Sequence, residues 1–512
     1  MTHQYLLAHD LGTTGNKASL FDVDEGAVKI STFEAYPTDY SQPGWAEQDP
    51  ADWQRAVWQC THRLIKQAGI DPTSIAAVSF SGHMQGALLV NWQGKPLGKC
   101  IIWADQRATT QADFITSVCG SETLYNLTGQ RISPTYTAPK MLWIKEHQPA
   151  IYKQAYKVLQ PKDYAAFLFS GVFATDYSDA SATLLFDLTT RRWATNVIIA
   201  LGLNSELFPE VYPSTAIIGH VTASAAAASG LVAGTPVVIG GGDGACATVG
   251  AGSVREGETY AYIGSSSWIA VTTRNPICDP HQRTFTLAHL MPNFYFSLGT
   301  MQAAGGAYGW LERLFHPEGD PQALQTMDAQ AVSVPAGSGG LLFLPYLMGE
   351  RSPYWDPLAR GALVGLTMPH SQPEVVRAVL EGVAFNLRLI LDALRTQDVQ
   401  IARLLLIGGG AKSAVWRQIL ADVLELPIYL PALTTEATAL GALVAGGIGV
   451  GLFSDFTVID RLIAIREAEH PQPDQHQQYA ALLPLFKQTY EALNPIFTEL
   501  AKVTAMKPFL DD

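Results

Sequence analysis

The feature that most limits the fold of this chain is a pattern of strand, small polar turn and strand that occurs once in each half. The first copy, YLLAHD, LGTTGN and KASLFDV, starts at Tyr5, and the second, TYAYIGSSSWIAVTTRN, covers Thr259–Asn275. Each copy predicts a β-hairpin whose tip carries glycines and hydroxyl side chains. Two halves that begin in the same way predict a duplicated fold, with domains at residues 1–252 and 253–512.

Strands alternate with helices after each hairpin. A helix is predicted at Pro50–Ala68, capped by Asp49, and the strand IAAVSF follows it. In the second half, Ser371–Leu394 has the capping-box spacing and apolar periodicity of a long helix, and Arg403–Leu424 is typical of strand, glycine turn and helix. This alternation predicts an α/β protein with largely parallel sheets and crossover helices.

The composition favours a soluble, cytoplasmic protein. Hydrophobic residues make up 48% of the chain and charged residues only 15%, which is enough apolar material for large cores. The net charge of −13 argues against nucleic acid or an anionic membrane surface as a partner. The five cysteines form no CxxC pair, the N-terminus lacks a signal-peptide pattern, and the glycine-rich stretch Ala439–Phe453 is predicted to be a buried helix and turn.

The first hairpin tip, DLGTTGNK at Asp10–Lys17, has residue types suited to binding phosphate. Successive backbone N–H groups and two hydroxyls form a concavity for phosphate oxygens, and a carboxylate beside it can hold hydrated Mg²⁺. The same residue types are routine in an ordinary hairpin turn. From these residues alone, both interpretations remain open.

The run GGGDGA at Gly240–Ala245 lies between a predicted strand, Pro236–Gly240, and a small-residue helix that begins at about Asp243. Asp243 is either the N-cap of that helix or a general base for a substrate hydroxyl, with the helix N-terminus favouring a phosphoryl group. The spacing G-x-G-x-x-A also matches a dinucleotide fingerprint. That third interpretation is disfavoured because the acids that follow, Glu256 and Glu258, lie in a predicted turn.

The run GGGAKS at Gly408–Ser413 follows a predicted strand and opens a helix. Its glycines would let a nucleotide lie close to the backbone, with Ser413 capping the helix. It lacks the spacing of a Walker A loop, and from these residues alone a tight strand-to-helix turn is the favoured interpretation. The loop SGHMQG places His83 and Gln85 around Met84 after a strand, where glycines permit close approach to a ligand.

Taken together, these stretches resemble the FGGY carbohydrate kinases of the actin-like ATPase superfamily, and within them the xylulokinases. The resemblance is carried, in family order, by DLGTTGNKASL, GWAEQDPADW, IIWADQR, TAPKMLWIKEH, PKDYAAFLFSGVFATDYSDAS, GGGDGA, YIGSSS, FLPYLMGERSP, GALVGLTMPHSQPEVVRAVLEG and LIGGGAKSAVWRQILAD. These motifs extend over most of the chain. The resemblance implies two actin-like, ribonuclease-H-like domains, with a central cleft where a sugar and MgATP meet.

The resemblance also implies roles for individual residues. It assigns Asp243 as the catalytic base and Asp10 as the Mg²⁺-associated carboxylate, so both are candidate metal ligands. It assigns ATP binding to the two hairpin tips and two glycine turns, through Thr13, Thr14, Lys17, Gly264, Ser265, Ser266, Gly305, Gly409, Gly410 and Ala411. It assigns the sugar pocket to Met84, Gln85, Trp103, Asp105 and Asp243.

The chain departs from the xylulokinase pattern mainly on the sugar side. His83 and Gln85 have exchanged places relative to the usual Gly-Gln-Met-His-Gly loop. Gly244 and Ala104 stand where the pattern has asparagines, whereas the nucleotide side differs only in Ser265, which replaces a threonine. These departures predict that the reaction is retained, and they leave the identity of the sugar open.

The expected activity is therefore transfer of the γ-phosphate of ATP to a hydroxyl of a small sugar, such as D-xylulose, giving D-xylulose 5-phosphate. Ribulose, glycerol and gluconate are alternative acceptors. A sugar-responsive binding protein without catalysis is the alternative from another class, and its weakness is that Asp10 and Asp243 are both present. A homodimer is the oligomeric state to be tested.

Overall fold

Two seven-stranded sheets form the framework of the protein. The computed structural model describes residues 4–396, 399–432 and 436–504. In the N-terminal half, the strands are β1 (Tyr5–Leu11), β2 (Gly15–Asp22), β3 (Ala27–Ala35), β4 (Glu47–Gln48), β5 (Ile75–Gly82), β6 (Leu88–Val90), β7 (Cys100–Ile101), β8 (Lys157–Leu159), β9 (Ala174–Asp176), β10 (Phe186–Asp187), β11 (Arg192–Trp193), β12 (Glu210–Tyr212), β13 (Ile217–His220), β14 (Pro236–Val238) and β15 (Gly241–Gly242). In the C-terminal half they are β16 (Thr259–Ile263), β17 (Ser267–Thr273), β18 (Phe285–Ala288), β19 (Tyr295–Met301), β20 (Leu342–Leu344), β21 (Ala362–Val364), β22 (Leu404–Ile407), β23 (Ile428–Pro431) and β24 (Ile465–Glu469).

Seventeen α-helices connect and cover these sheets in the described part of the chain. They are α1 (Pro50–Ala68), α2 (Thr109–Cys119), α3 (Ser121–Thr128), α4 (Thr137–His147), α5 (Pro149–Gln154), α6 (Pro161–Ser170), α7 (Tyr177–Ser181), α8 (Thr195–Ala200), α9 (Ala223–Ser229), α10 (Asp243–Gly250), α11 (Gly305–Phe315), α12 (Ala323–Val332), α13 (Gln372–Arg395), α14 (Ala414–Leu424), α15 (Ala437–Gly449), α16 (Ile459–Leu462) and α17 (Pro473–Thr504). Within the described ranges, none of them is long and apolar enough to cross a membrane.

The two sheets repeat one topology. In the first, β1, β2 and β3 are antiparallel neighbours, β5 is parallel to β1, and β14 is parallel to β5. In the second, β16, β17 and β19 are antiparallel neighbours, β22 is parallel to β16, and β23 is parallel to β22. Both predicted hairpins are therefore confirmed. The prediction of largely parallel sheets is wrong, because strands joined by tips this short can only pair antiparallel.

Local capping signals correctly indicated the helix starts. Asp49 accepts a hydrogen bond from the N–H of Ala51 at the start of α1, with Pro50 in the first turn. Ser371 and Glu374 form a capping box on α13. Ser413 accepts from the N–H of Trp416 and so caps α14. Each cap satisfies backbone donors that the helix itself leaves unpaired.

Helices α10 and α15 cross at a contact that joins the two halves. A Cβ atom on Gly250 would lie 1.9 Å from the carbonyl oxygen of Ala437, and one on Gly441 would lie 2.1 Å from that of Cys246. Only glycine permits this backbone approach, since real Cβ atoms do not come so close. The contact lies within a buried apolar cluster that includes residues from both halves, among them Leu6, Val249 and Leu440.

Candidate active site

Asp10 is the penultimate residue of β1, at the base of the first hairpin tip. The hydroxyl of Thr438, in α15, donates a hydrogen bond of 2.5 Å to Oδ2 of Asp10. Its other oxygen, Oδ1, is buried and has no hydrogen-bond partner among the residues that the structure describes. Burial is the main cause that raises the pKa of the Asp10 carboxyl above its ordinary value. A carboxylate oxygen that is buried and has no hydrogen-bond partner within the described ranges is suited to a cation or to a bound water.

The first hairpin tip has contacts with residues of both halves of the protein. Thr14 is exposed, and the ammonium of Lys17 forms an ion pair with Glu436, just before α15. Thr13 is held on both sides, because its carbonyl accepts from Nε2 of Gln48 at 2.7 Å and its hydroxyl accepts from Nε1 of Trp103 at 2.9 Å. The tip is therefore a supported element with an exposed threonine at its end.

Asp243 is the first residue of α10, and Gly242 is the residue that caps the helix. The N-cap interpretation of Asp243 is therefore wrong. Its Oδ1 accepts a hydrogen bond of 2.7 Å from the N–H of Gly244. Burial first, and then the negative charge of Asp10, raise the pKa of Asp243 to about 7. The two carboxylates thus lie within electrostatic range, and one of them has the proton affinity that suits a general base near neutral pH.

The second hairpin tip contacts both glycine turns of the C-terminal half. Ser265 and Ser266 are exposed, and the N–H of Gly305 donates to the carbonyl of Gly264 at 2.8 Å. A Cβ atom on Gly305 would lie 2.4 Å from that carbonyl oxygen. In the other turn, a Cβ atom on Gly410 would lie 2.5 Å from the side chain of Ile263, which precedes the tip. Gly409 is exposed, and a Cβ atom there would lie 3.9 Å from the carbonyl oxygen of Ile263, whereas Ala411 is buried. The structure thus brings the predicted nucleotide-side residues of this half together.

The loop that contains Met84 and Gln85 is packed against the GGGD segment. The side chain of Met84 is 8% exposed, and its atoms lie 2.6–2.7 Å from where a Cβ atom of Gly242 would be. Gln85 has a left-handed backbone with φ of 66°. The fully buried ammonium of Lys140 donates to the carbonyls of Gln85, at 2.8 Å, and Ile102, at 2.7 Å. Lys140 therefore joins this loop to the segment that carries Trp103.

Trp103 and Asp105 differ in exposure to solvent although they are only two positions apart in the sequence. Trp103 is 36% exposed, with its indole N–H on Thr13. Asp105 is fully buried, accepts from the N–H of Ala46 at 2.6 Å and pairs bidentately with Arg107. The Asp105 carboxylate is directed at these partners in this structure, and its contact with a sugar stays a prediction.

The sequence predictions missed four residues that contact the candidate site residues: Gln48, Lys140, Glu436 and Thr438. Gln48 and Lys140 lie within GWAEQDPADW and TAPKMLWIKEH, two of the stretches that carry the family resemblance. That resemblance could therefore have pointed to them. Glu436 and Thr438 reach the first tip from a distant part of the chain, and no local pattern links them to it.

The raised pKa of Asp243 predicts a pH-dependent effect on stability in the metal-free protein. An Asp with a pKa of 3.8 when unfolded and about 7 when folded favours the folded state at low pH, and this contribution is lost as the pH rises from about 4 to about 7. The variant Asp243→Asn lacks that loss. Its melting temperature should therefore exceed that of the parent by more at pH 7.5 than at pH 4.5, measured by thermal unfolding in chelator. An equal difference at both pH values would contradict the pKa shift.

Two sheets of the same topology, joined at crossing helices and with a glycine- and hydroxyl-bearing tip in each, define a protein of the actin-like ATPase fold. The chain matches the FGGY family of carbohydrate kinases, in its N-terminal domain over residues 5–250 and its C-terminal domain over residues 259–450. This protein therefore belongs to the FGGY family of carbohydrate kinases.

Three relatives illustrate the similarity. A xylulose kinase from Bacillus subtilis is 32% identical over 97% of this chain and 99% of its own. A gluconate kinase from Lactobacillus acidophilus superimposes with a TM-score of 0.92 at 28% identity, covering 98% of this chain and 100% of its own. A xylulose kinase from the same species has a TM-score of 0.91 at 28% identity, covering 97% and 100%. Membership of a carbohydrate kinase family agrees with the low weight given to the dinucleotide-binding interpretation of GGGDGA.

Proposed function

We propose that this protein transfers the γ-phosphate of ATP to a hydroxyl of D-xylulose, giving D-xylulose 5-phosphate. The observation that carries the proposal is the position of Asp243, a carboxyl with a pKa of about 7 at the start of α10 and within electrostatic range of Asp10. The xylulose kinases among the relatives favour the sugar. Gly244 and Ala104 stand where the xylulokinase pattern has asparagines, so the preference for D-xylulose is the part of the proposal that is tested first.

The chemistry follows from one proton and one phosphoryl group. The oxygen of the sugar hydroxyl forms a bond to the γ-phosphorus, its proton passes to the Asp243 carboxylate, and the bond from phosphorus to the bridging oxygen of ADP breaks. Positioning and neutralisation of charge dominate such transfers, and little covalent work is required of the protein. The N-terminus of α10 adds a positive partial charge beside the acceptor.

Mg²⁺ is the metal that we propose for this site, and the residues present suit it. Magnesium is commonly bound by one or two carboxylates together with substrate phosphates and water. Asp10 offers an oxygen without a hydrogen-bond partner among the described residues, and it lies close enough to Asp243 for its charge to raise the pKa of the Asp243 carboxyl. When bound, the ion would neutralise charge on the phosphates of ATP.

We assign ATP to the two tips and the two glycine turns of the C-terminal half. Hydroxyls and backbone N–H groups of these tips are suited to phosphate oxygens. The residues are Thr13, Thr14, Gly264, Ser265 and Ser266 at the tips, with Gly305, Gly409, Gly410 and Ala411 on the adenosine side. Lys17 is paired with Glu436, so its proposed contact with phosphate requires that ion pair to open or to be shared.

We assign the sugar to Met84, Gln85, Trp103 and Asp243. Asp105, whose contact with the sugar stays a prediction, also supports positioning of the Trp103 segment through its buried pairing with Arg107. Arg107 in turn lies 3.5 Å from the centre of the Trp45 ring and pairs with Glu47, so the segment is anchored by several contacts.

Gly244→Asn is expected to shift sugar preference without disturbing the fold. A Cβ atom at this position would meet Phe296 at 3.6 Å and the sulfur of Met84 at 3.7 Å, which are ordinary contacts. An added amide beside Asp243 would restore a hydrogen-bonding group of the xylulokinase pattern. We expect kcat/KM for D-xylulose to rise by about 10-fold, as one or two hydrogen bonds permit. Steady-state kinetics measure this, and an unchanged ratio between sugars would exclude Gly244 as a determinant.

Gluconate is the second candidate acceptor, favoured by the gluconate kinase that superimposes with a TM-score of 0.92. A panel of D-xylulose, D-ribulose, gluconate and glycerol in an ADP-release assay separates these substrates. The proposal expects the highest kcat/KM with D-xylulose. A clear preference for gluconate would replace the sugar and keep the reaction. Calorimetric binding of a sugar without ADP formation would support a non-catalytic binding protein instead.

We propose further that the protein is cytoplasmic, since its five cysteines are free in the structure. The domain boundary near residue 252 remains a proposal, supported by the interval between β15, which ends at Gly242, and β16, which begins at Thr259. A homodimer also remains a prediction, to be tested by sedimentation or light scattering.

A further inference from the structure

Gln48 lies in β4, buried between the loop that carries Met84 and the first hairpin tip. Its Nε2 donates to the carbonyl of Thr13 at 2.7 Å and to the hydroxyl of Thr38 at 2.8 Å. Its Oε1 accepts from Nε1 of Trp53 at 3.0 Å and from Nε2 of His83 at 3.1 Å. With only 1% of its surface exposed, this amide uses two donors and two acceptor positions on protein partners.

The direction of these hydrogen bonds determines which ring nitrogen of His83 carries a proton. Because Oε1 of Gln48 can only accept, His83 donates through Nε2. Burial lowers the pKa of His83 to about 3, so the ring is neutral across the working pH range. The backbone N–H of His83 also donates to the carbonyl of Leu11 at 2.9 Å. The loop and the tip are therefore joined twice, once directly through backbone and once through Gln48.

A third hydrogen bond joins Thr13 to Trp103, which is one of the proposed sugar-binding residues. The indole N–H of Trp103 donates to the hydroxyl of Thr13, and that hydroxyl keeps its own proton for another acceptor. Donation into a hydroxyl strengthens the bond that the hydroxyl itself donates. A phosphate oxygen facing Thr13 would thus meet a donor whose orientation is set by Trp103, while Gln48 holds its carbonyl.

We propose that Gln48 is a positioning residue that couples the loop of Met84 and Gln85, called here the sugar loop, to the first hairpin tip, Asp10–Lys17. Correct placement of the sugar and correct placement of the transferred phosphate would then depend on one another. This inference rests on the proposed function. Met84 and Gln85 directly follow His83, and Met84 packs against Gly242 next to Asp243. A shift of the amide would therefore move the sugar loop and Thr13 relative to the base.

Coupling of this kind protects ATP from water. A transferred phosphoryl group that is placed independently of the sugar can be captured by water, whereas correlated placement favours the sugar hydroxyl. The readout that distinguishes coupling from simple structural support is therefore the amount of ADP formed for each sugar phosphate.

Gln48→Met tests the proposal in the full-length protein, with Gln111→Met as the matched control. Methionine keeps length and burial but loses all four hydrogen bonds, and Gln111 is a buried glutamine whose amide donates to Glu146. We expect kcat to fall by about 10- to 100-fold, because small misplacements at a reacting centre cost that much. We also expect ADP formed for each sugar phosphate to rise above one, while Gln111→Met stays at one.

Gln48→Glu provides a second variant in case the apolar replacement does not fold. Glutamate retains an acceptor for Trp53 and His83, but it replaces the donor to the Thr13 carbonyl, and the same rise in ADP for each sugar phosphate is expected. Folded variants with a ratio of one and kinetic constants matching those of Gln111→Met would overturn the proposal. Failure of both variants to fold would also overturn it, since Gln48 would then have a purely structural role. If the parent itself forms no ADP with any sugar, the proposed function fails, which the parent assay reveals before any variant is compared.

Discussion

Asp243→Asn is expected to lower kcat by about 10²–10⁴-fold, which is the usual contribution of a general base. The amide keeps the shape of the side chain, so the hydrogen bond from the Gly244 N–H to Oδ1 can be retained. What is lost is the ability to take the proton of the attacking hydroxyl. The measurement is ADP release with D-xylulose at saturating MgATP.

The control for this variant is Asp392→Asn, which removes a half-exposed carboxylate that pairs with Arg388 on the surface of α13. Its turnover should stay within about twofold of the parent, as expected for exposed ion pairs. Sugar binding by Asp243→Asn, measured by calorimetry, should persist. If Asp243→Asn keeps most of its turnover, Asp243 is not the base.

Gly441→Ala is expected to destabilise the protein strongly, by about 1–3 kcal/mol or more. The new Cβ atom would lie 2.1 Å from the carbonyl oxygen of Cys246, so α10 and α15 must separate. Asp243 begins α10, and Thr438 holds Asp10 from α15. Activity should therefore fall together with the unfolding midpoint measured in urea.

Gly309→Ala is the matched control, since Gly309 lies in the interior of α11 and a Cβ atom there would meet nothing closer than 3.7 Å. Alanine favours helices over glycine, so this variant should be neutral or more stable by up to about 1 kcal/mol. Equal stability of Gly441→Ala and the parent would contradict the close backbone contact between α10 and α15.

The sequence predicted those parts of the fold that are determined by neighbours along the chain. The hairpins, the cap of α1 by Asp49 and the capping box of α13 depend on residues a few positions apart. The mixed sheets were not predicted, because strand pairing depends on topology as well as on strand and helix alternation. Asp243 was placed correctly at a helix start, but its neighbour Gly242 is the cap.

The site was less predictable where its contacts are distant in sequence. Thr438 donates to Asp10, and Glu436 pairs with Lys17, yet each pair is separated by most of the chain. The burial of Asp105 against Arg107 likewise depends on packing of the Trp45 and Trp143 rings around the guanidinium. Family resemblance can point to such residues, whereas only the folded structure gives the partner of each one.

We propose above all that this chain is a working sugar kinase whose base is Asp243. The most direct test is to incubate the purified protein with ATP, Mg²⁺ and D-xylulose, and to identify the products by phosphorus NMR and mass spectrometry. We expect equal amounts of ADP and D-xylulose 5-phosphate from the parent, and almost none of either from Asp243→Asn. Absence of any sugar phosphate from the parent, with D-xylulose and with every other sugar of the panel, would show that the protein is not a sugar kinase of this kind.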